Sequence, residues 1–173
     1  MGKACGSCSA CCKLLYVREL EKPACVWCEH ALPGKGCGVY ETRWEVCRTF
    51  KCSWLRDDNF PDAWRPDKSG FIVREMGGNT LRLDVEPSKP DSWRRQPFYA
   101  QIKQWAAEAL ARRGAVVVTI GDRTTVVFPE ADVPIGLSED VDAFVGGYEL
   151  RDGQRRPYVR VTRPDGSQTH VPG

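Results

Sequence analysis

All nine cysteines of this chain fall between Cys5 and Cys52, and residues 53–173 have none. They begin with CGSCSACC, residues 5–12, a C-x-x-C-x-x-C-C run that places four thiols in eight positions. Thiols this crowded need disulfides, redox chemistry or metal, and the rest of the chain separates the three unevenly. The opening MGKACGSCSACC lacks the apolar stretch of a secretory signal, and Gly6 stands where a myristoylation signal needs Ser or Thr. No segment nears the ~18 continuous apolar residues of a membrane span. A reducing, cytoplasmic setting with no membrane is therefore the expectation, and an odd cysteine count suits a disulfide framework poorly.

Metal is favoured by geometry. Were residues 5–12 helical at about 100° per residue, Cys5, Cys8, Cys11 and Cys12 would share an arc of roughly 120°. As a loop, C-x-x-C is the usual chelating turn, with Gly6 and Ser7 letting amides face sulfur. Cys11 and Cys12 are the awkward pair, because adjacent side chains diverge and rarely ligate one tetrahedral ion. Two metal centres are expected, or one multi-iron cluster beside a second ion. Cys25 and Cys28 form another C-x-x-C, and Cys37, Cys47 and Cys52 follow. Eight thiolates would fill two four-thiolate sites and leave one cysteine spare. The alternative of buried, reduced cysteines acting as small apolar residues fits poorly with flanking Gly, Ser, Lys and Glu.

The metal itself is less constrained. C-x-x-C-x-x-C also opens the [4Fe–4S] ferredoxin signature, but Cys12-Lys13 stands where that motif closes with C-P. Zn2+ needs only four thiolates in a tetrahedron, in any order along the chain, so zinc leads iron. His30 could replace one sulfur, although a surface histidine near a turn is the plainer reading.

CGSCSACC, then WCEHA, then GCGVYETRWEVCRTFKC together resemble the bacterial YkgJ-type CxxCxxCC cysteine-cluster family, described as zinc- or iron-chelating proteins. That family's pattern is C-x-x-C-x-x-C-C, a further Cys, then C-x-[IV]-Y-E-x-R-P-x-x-C-R-x-F. The resemblance implies metal ligation by Cys5, Cys8, Cys11, Cys12, Cys28, Cys37, Cys47 and Cys52. Tyr40, Glu41, Arg43, Arg48 and Phe50 match the accompanying positions, Trp44 replaces the usual Pro, and Cys25 is an addition. It covers the first third of the chain and implies little function beyond chelation. Arg43 and Arg48 bracket Cys47, either as surface charge paired with Glu41 and Glu45 or as N–H donors to thiolate.

Composition divides the chain near residue 56, into a Cys-rich metal-binding module at 1–56 and an α+β companion at 57–173. Residues 1–56 hold nine Lys and Arg against five Asp and Glu; the remainder holds sixteen against eighteen. This modest basic surplus lies where bound thiolates need compensating charge. Overall balance at +2 predicts no tight, salt-dependent DNA binding. The module is expected to have little regular structure apart from a short helix within 39–55, with Thr42 as N-cap and Cys47 near its end.

The second part reads as antiparallel hairpins packed on one helix. FIVREM and TLRLDVE flank Gly77-Gly78-Asn79, which supply positive φ; AVVVTIGDRTTVVFPE turns at Gly121-Asp122; YELRDGQRRPYVRVTR turns at Asp152-Gly153. A helix starts near Pro97, with Tyr99, Ile102, Trp105, Ala106, Ala109 and Leu110 at helical spacing and Gly114 as its C′ residue. The six tryptophans are expected in the core, and His170 in a disordered tail. Phosphate-loop and dinucleotide motifs are absent. A non-enzymatic metal-binding protein is the leading expectation. A redox enzyme using an Fe–S centre or the Cys25/Cys28 dithiol, or an accessory to a modification enzyme, and a zinc-stabilised protein- or RNA-interaction module, are the rivals.

Overall fold

A computed structural model of the protein describes residues 2–173. The fold is α+β, with few helices and several antiparallel sheets. Two compact units divide it. One comprises the chain up to Glu75 together with Leu83–Arg95, and the other Met76–Arg82 with Gln96–Gly173. The first unit thus extends past the cysteines to take in residues 57–75 and 83–95. Among the described residues no helix is long and apolar enough to cross a membrane.

The first unit has α1 (Ala10–Leu14), the two-residue strands β1 (Ala31–Leu32) and β2 (Gly36–Cys37), then α2 (Glu45–Thr49), α3 (Ser53–Arg56), α4 (Pro66–Ser69) and β3 (Phe71–Glu75). Helices of four or five residues cannot sustain themselves, since nucleation costs more than one turn of hydrogen bonds returns. They are held by what they pack on, and α1, α3 and α4 all meet β3. Behind them sits a core of Trp54, Trp64, Phe71, Ile72, Val73, Leu83, Val85 and the wholly buried Trp93. Trp64 meets Phe71 edge-on at 5.8 Å. Between residues 2 and 52, by contrast, Leu14 is the one large apolar side chain that is buried.

The helix expected within 39–55 is instead two, α2 and α3. Thr42 does not cap: its N–H closes a turn onto the Val39 carbonyl, and Trp44 stands at the N-cap of α2. Cys47 therefore lies mid-helix. Trp44 adopts φ −53°, a value that proline also takes.

In the second unit β5 (Val116–Ile120), β6 (Arg123–Val127) and β7 (Asp132–Leu137) form an antiparallel meander, with α5 (Phe98–Ala111) against β5 and β6. A second sheet orders β10 (Gln168–Pro172), β9 (Gln154–Thr162) and β8 (Ala143–Arg151). Val126, Phe128, Val133, Ile135, Val159 and Val161 form one core cluster here. All three expected turns occur. Gly77, Gly78 and Asn79 have φ 81°, 57° and 58° between β3 and β4 (Leu81–Val85), the strand through which the boundary between units runs. Ile120 pairs with Arg123 across Gly121-Asp122, and Arg151 with Gln154 across Asp152-Gly153.

Several expectations need correction. The buried seam of α5 is Phe98, Ile102, Ala106 and Ala109; the last three lie in the predicted stripe, whereas Phe98 replaces Tyr99, and Tyr99, Trp105 and Leu110 are only half-buried. Of the tryptophans, Trp54, Trp64 and Trp93 are core, but Trp27 and Trp44 are exposed. His170 lies in β10, stacked on Tyr158 at 4.8 Å, not in a disordered tail. Strand β7 is masked in the sequence by Pro134 and Gly136, which it accommodates at a register shift opposite Thr124/Thr125.

The last correction concerns Gly114. Arg113, not Gly114, carries the positive φ of 59° after α5. Gly114 donates its N–H to Ala109 and Arg113 donates to Leu110, the paired bonds of a Schellman ending. Glycine is required at 114 by space: a Cβ there would lie 2.1 Å from the Asn79 carbonyl oxygen. Gly114→Ala is expected to destabilise the second unit by about 1–3 kcal/mol, the range for overpacking. Denaturant unfolding followed by α5 fluorescence (Trp105) checks it; an unchanged midpoint would refute the steric account.

Candidate metal centre

The first thiols are placed by tight local turns. Cys8 donates its N–H to the Cys5 carbonyl at 2.9 Å, and Cys12 donates to Ser9 at 3.0 Å as α1 begins. Of the first four, only Cys11 and Cys12 are helical; Cys5 and Cys8 belong to the loop form of the motif. Arg65 steadies that loop from sixty residues away, its Nη2 donating to the Cys5 carbonyl (3.2 Å) and to Ser7 Oγ (2.9 Å). Later cysteines are brought back by the main chain. Cys28 donates its N–H to the Cys12 carbonyl at 2.9 Å, and Cys37 pairs with Ala31 across β1 and β2. Gly36 passes so near the first loop that a Cβ on it would be 2.6 Å from the Gly6 carbonyl oxygen.

No disulfide joins any of the cysteines, and all nine are half-buried. Among the described residues, no three His, Cys, Asp or Glu side chains stand together as a ready-made metal-binding group. The thiols nevertheless fall into two neighbourhoods through the charges they impose on one another. Burial pushes the Cys52 thiol up, and Cys8 and Cys5 raise it further. Cys11 is pushed up by its hydrogen bond with Cys12 and by burial, then by Cys12, Cys5 and Cys8. Cys47 is raised by burial and then by Cys12, Cys28 and Cys37. Cys5 and Cys8 thus bear on both Cys11 and Cys52, while Cys12, Cys28 and Cys37 bear on Cys47.

The adjacent pair does not simply diverge, as expected from sequence. Cys11 and Cys12 share a hydrogen bond that raises one and lowers the other, Cys12 to about 7, with Lys22 and Arg43 also favouring its thiolate. Their remaining neighbours differ, and the two neighbourhoods meet at this peptide unit.

Several sulfurs already receive N–H donors. Burial raises the Cys8 thiol, but the Ala10 and Asp67 backbone N–H groups point at it and favour its thiolate. The Leu55 N–H does the same for Cys52. Donors aimed at sulfur stabilise the charge that a metal ligand must carry. Cations flank both groups, Arg65 beside Cys8 and Lys22 with Arg43 beside Cys12.

Of the residues singled out from sequence, Arg43 bonds carbonyls, not sulfur: Nε to Cys47 (3.3 Å) and Nη1 to Tyr40 (2.7 Å), over the Tyr40 ring. Arg48 pairs with Glu45 at 3.2 Å on an exposed face. His30 stacks on Trp44 at 5.2 Å and meets Glu29 at 3.3 Å. Cys25 has a φ of 61° and hangs its N–H on the Leu14 carbonyl at 3.4 Å. Sequence reading missed Arg65 and Lys22, neither of which any motif marks. Comparison of the chain with protein families, with curated proteins and with solved structures finds no match.

Proposed function

We propose that this chain chelates metal through two four-thiolate sites, Cys5, Cys8, Cys11 and Cys52 in one and Cys12, Cys28, Cys37 and Cys47 in the other. The observation that carries this reading is that Cys5 and Cys8 bear on both Cys11 and Cys52 while Cys12, Cys28 and Cys37 bear on Cys47, with Arg65 beside Cys8 and Lys22 and Arg43 beside Cys12. Burial and crowding push the Cys8, Cys11, Cys47 and Cys52 thiols up, a conflict that a divalent cation relieves by taking up thiolates as protons leave. Binding would draw each group in to sulfur–metal distances of about 2.3 Å, as Zn2+ requires. Zinc is the leading ion, with iron or an iron–sulfur cluster as the rival. Such a site belongs in a reducing compartment, the cytoplasm, where it acts as a binding protein and not an enzyme. The spacing of these same cysteines also supports membership of the YkgJ-type cluster family.

Anaerobically purified protein is expected to hold two metal ions per chain by elemental analysis. Colourless protein identifies zinc, whereas thiolate-bound iron absorbs visible light. One mononuclear ion, or none, would overturn the reading.

A second reading draws on the exposed Tyr16, Val26, Trp27, Leu32, Tyr40 and Trp44, all within the cysteine-rich segment. Here the metal shapes a surface for a protein partner. Alanine at Trp27 and Tyr40 would then abolish partner binding at unchanged metal content; under pure chelation neither property changes.

A further inference from the structure

Lys22 is 5% exposed, an unusual place for an ammonium. Its Nζ donates to the carbonyls of Lys13 (3.1 Å), Pro23 (2.8 Å) and Val26 (2.8 Å), which uses all three of its N–H bonds. No carboxylate pairs with it among the described residues. A buried charge met only by neutral carbonyls is costly unless an anion answers it. Burial accordingly lowers the Lys22 pKa, and the groups that hold it up are Cys28, Cys12, Cys25 and Cys11.

The three carbonyls also show what the ammonium fastens. Lys13 lies in α1 directly after Cys12, and Pro23 and Val26 lead into Cys28. One cation therefore clamps the two segments that deliver Cys12 and Cys28. Lys22 itself is fixed by two main-chain bonds with Val17, both 3.0 Å.

We infer that Lys22 is the positioning residue and counter-cation of the thiolate site that Cys12 and Cys28 serve, setting its affinity for a divalent ion. This rests on the chelation reading above. Four thiolates around a divalent ion carry a net charge of −2, and a fixed cation in the adjoining interior offsets part of it.

The test uses the full chain, Zn2+ and a competing chromophoric chelator, with Lys22→Met, Lys22→Gln and Lys22→Arg. In Lys22→Met and Lys22→Gln, one of the two zinc equivalents is expected to weaken by about 10–100-fold, the range for partners of metal ligands, while the other stays unchanged. Lys22→Arg, which keeps the charge, should lie closest to wild type. The retained equivalent, together with hydrogen-exchange protection in the second unit, shows that the variants fold. Wild-type affinity for both ions in Lys22→Met or Lys22→Gln would overturn the inference. So would equal loss of both equivalents, or of protection throughout the unit, in all three variants. Wild-type protein that binds no zinc would instead overturn the chelation reading itself, and the inference with it.

Discussion

Stripping the metal with a chelator is expected to abolish hydrogen-exchange protection across residues 5–52 while the second unit keeps its own. From residues 2–52, Leu14 alone contributes a large buried apolar side chain, and α1 and α2 have five residues each. Segments so poor in core need disulfides or metal to remain ordered. A structural zinc site contributes on the order of 10–16 kcal/mol in small peptides near neutral pH, far more than these turns can supply. The second unit stands on Phe128, Val133, Val159 and their neighbours and has no cysteine. Strand β3, with Phe71 and Ile72 buried, is expected to stay protected as well. Region-resolved exchange with and without chelator reads this directly. Unchanged protection in 5–52 would mean that metal is not structural, and collapse of both units would mean one cooperative fold.

Serine substitutions are expected to remove metal by groups and not by cysteine count. Cys8→Ser or Cys52→Ser should each cost one ion, and Cys37→Ser or Cys47→Ser the other. Pairing Cys8→Ser with Cys52→Ser should cost no more than either alone, because two ligands of one ion fail as a unit. Pairing Cys8→Ser with Cys47→Ser should leave the protein without metal. Cys25→Ser, outside both groups, should keep both ions. Metal content that falls evenly with each serine, or a Cys8/Cys52 pair that loses both ions, would refute the division.

Much of the second unit is legible along the chain because its signals are local. Gly-Gly-Asn and Asp-Gly adopt positive φ, as does Gly121 of Gly-Asp, with no help from distant residues, so each turn falls where expected. The seam of α5 keeps the predicted Ile102, Ala106 and Ala109 but starts at Phe98, because Phe98 and Tyr99 are both large aromatic residues and only packing selects between them. Strand β10 escapes sequence reading because its pairing with β9 comes from neighbours and not from its own short pattern.

The candidate site divides in the same way. Cysteine chemistry is intrinsic to the residue, and C-x-x-C spacing gathers sulfur over a single turn, so thiol clustering follows from residues 5–12 alone. Grouping depends on Cys28 returning to the Cys12 carbonyl, on Cys52 reaching the first loop, and on Arg65 crossing sixty positions to Cys5. Lys22 reads as an ordinary surface lysine until the chain folds three carbonyls around it. Identity and short spacing are properties of the covalent chain; burial and charge pairing between remote segments exist only once it is folded, because both depend on which atoms exclude water from which.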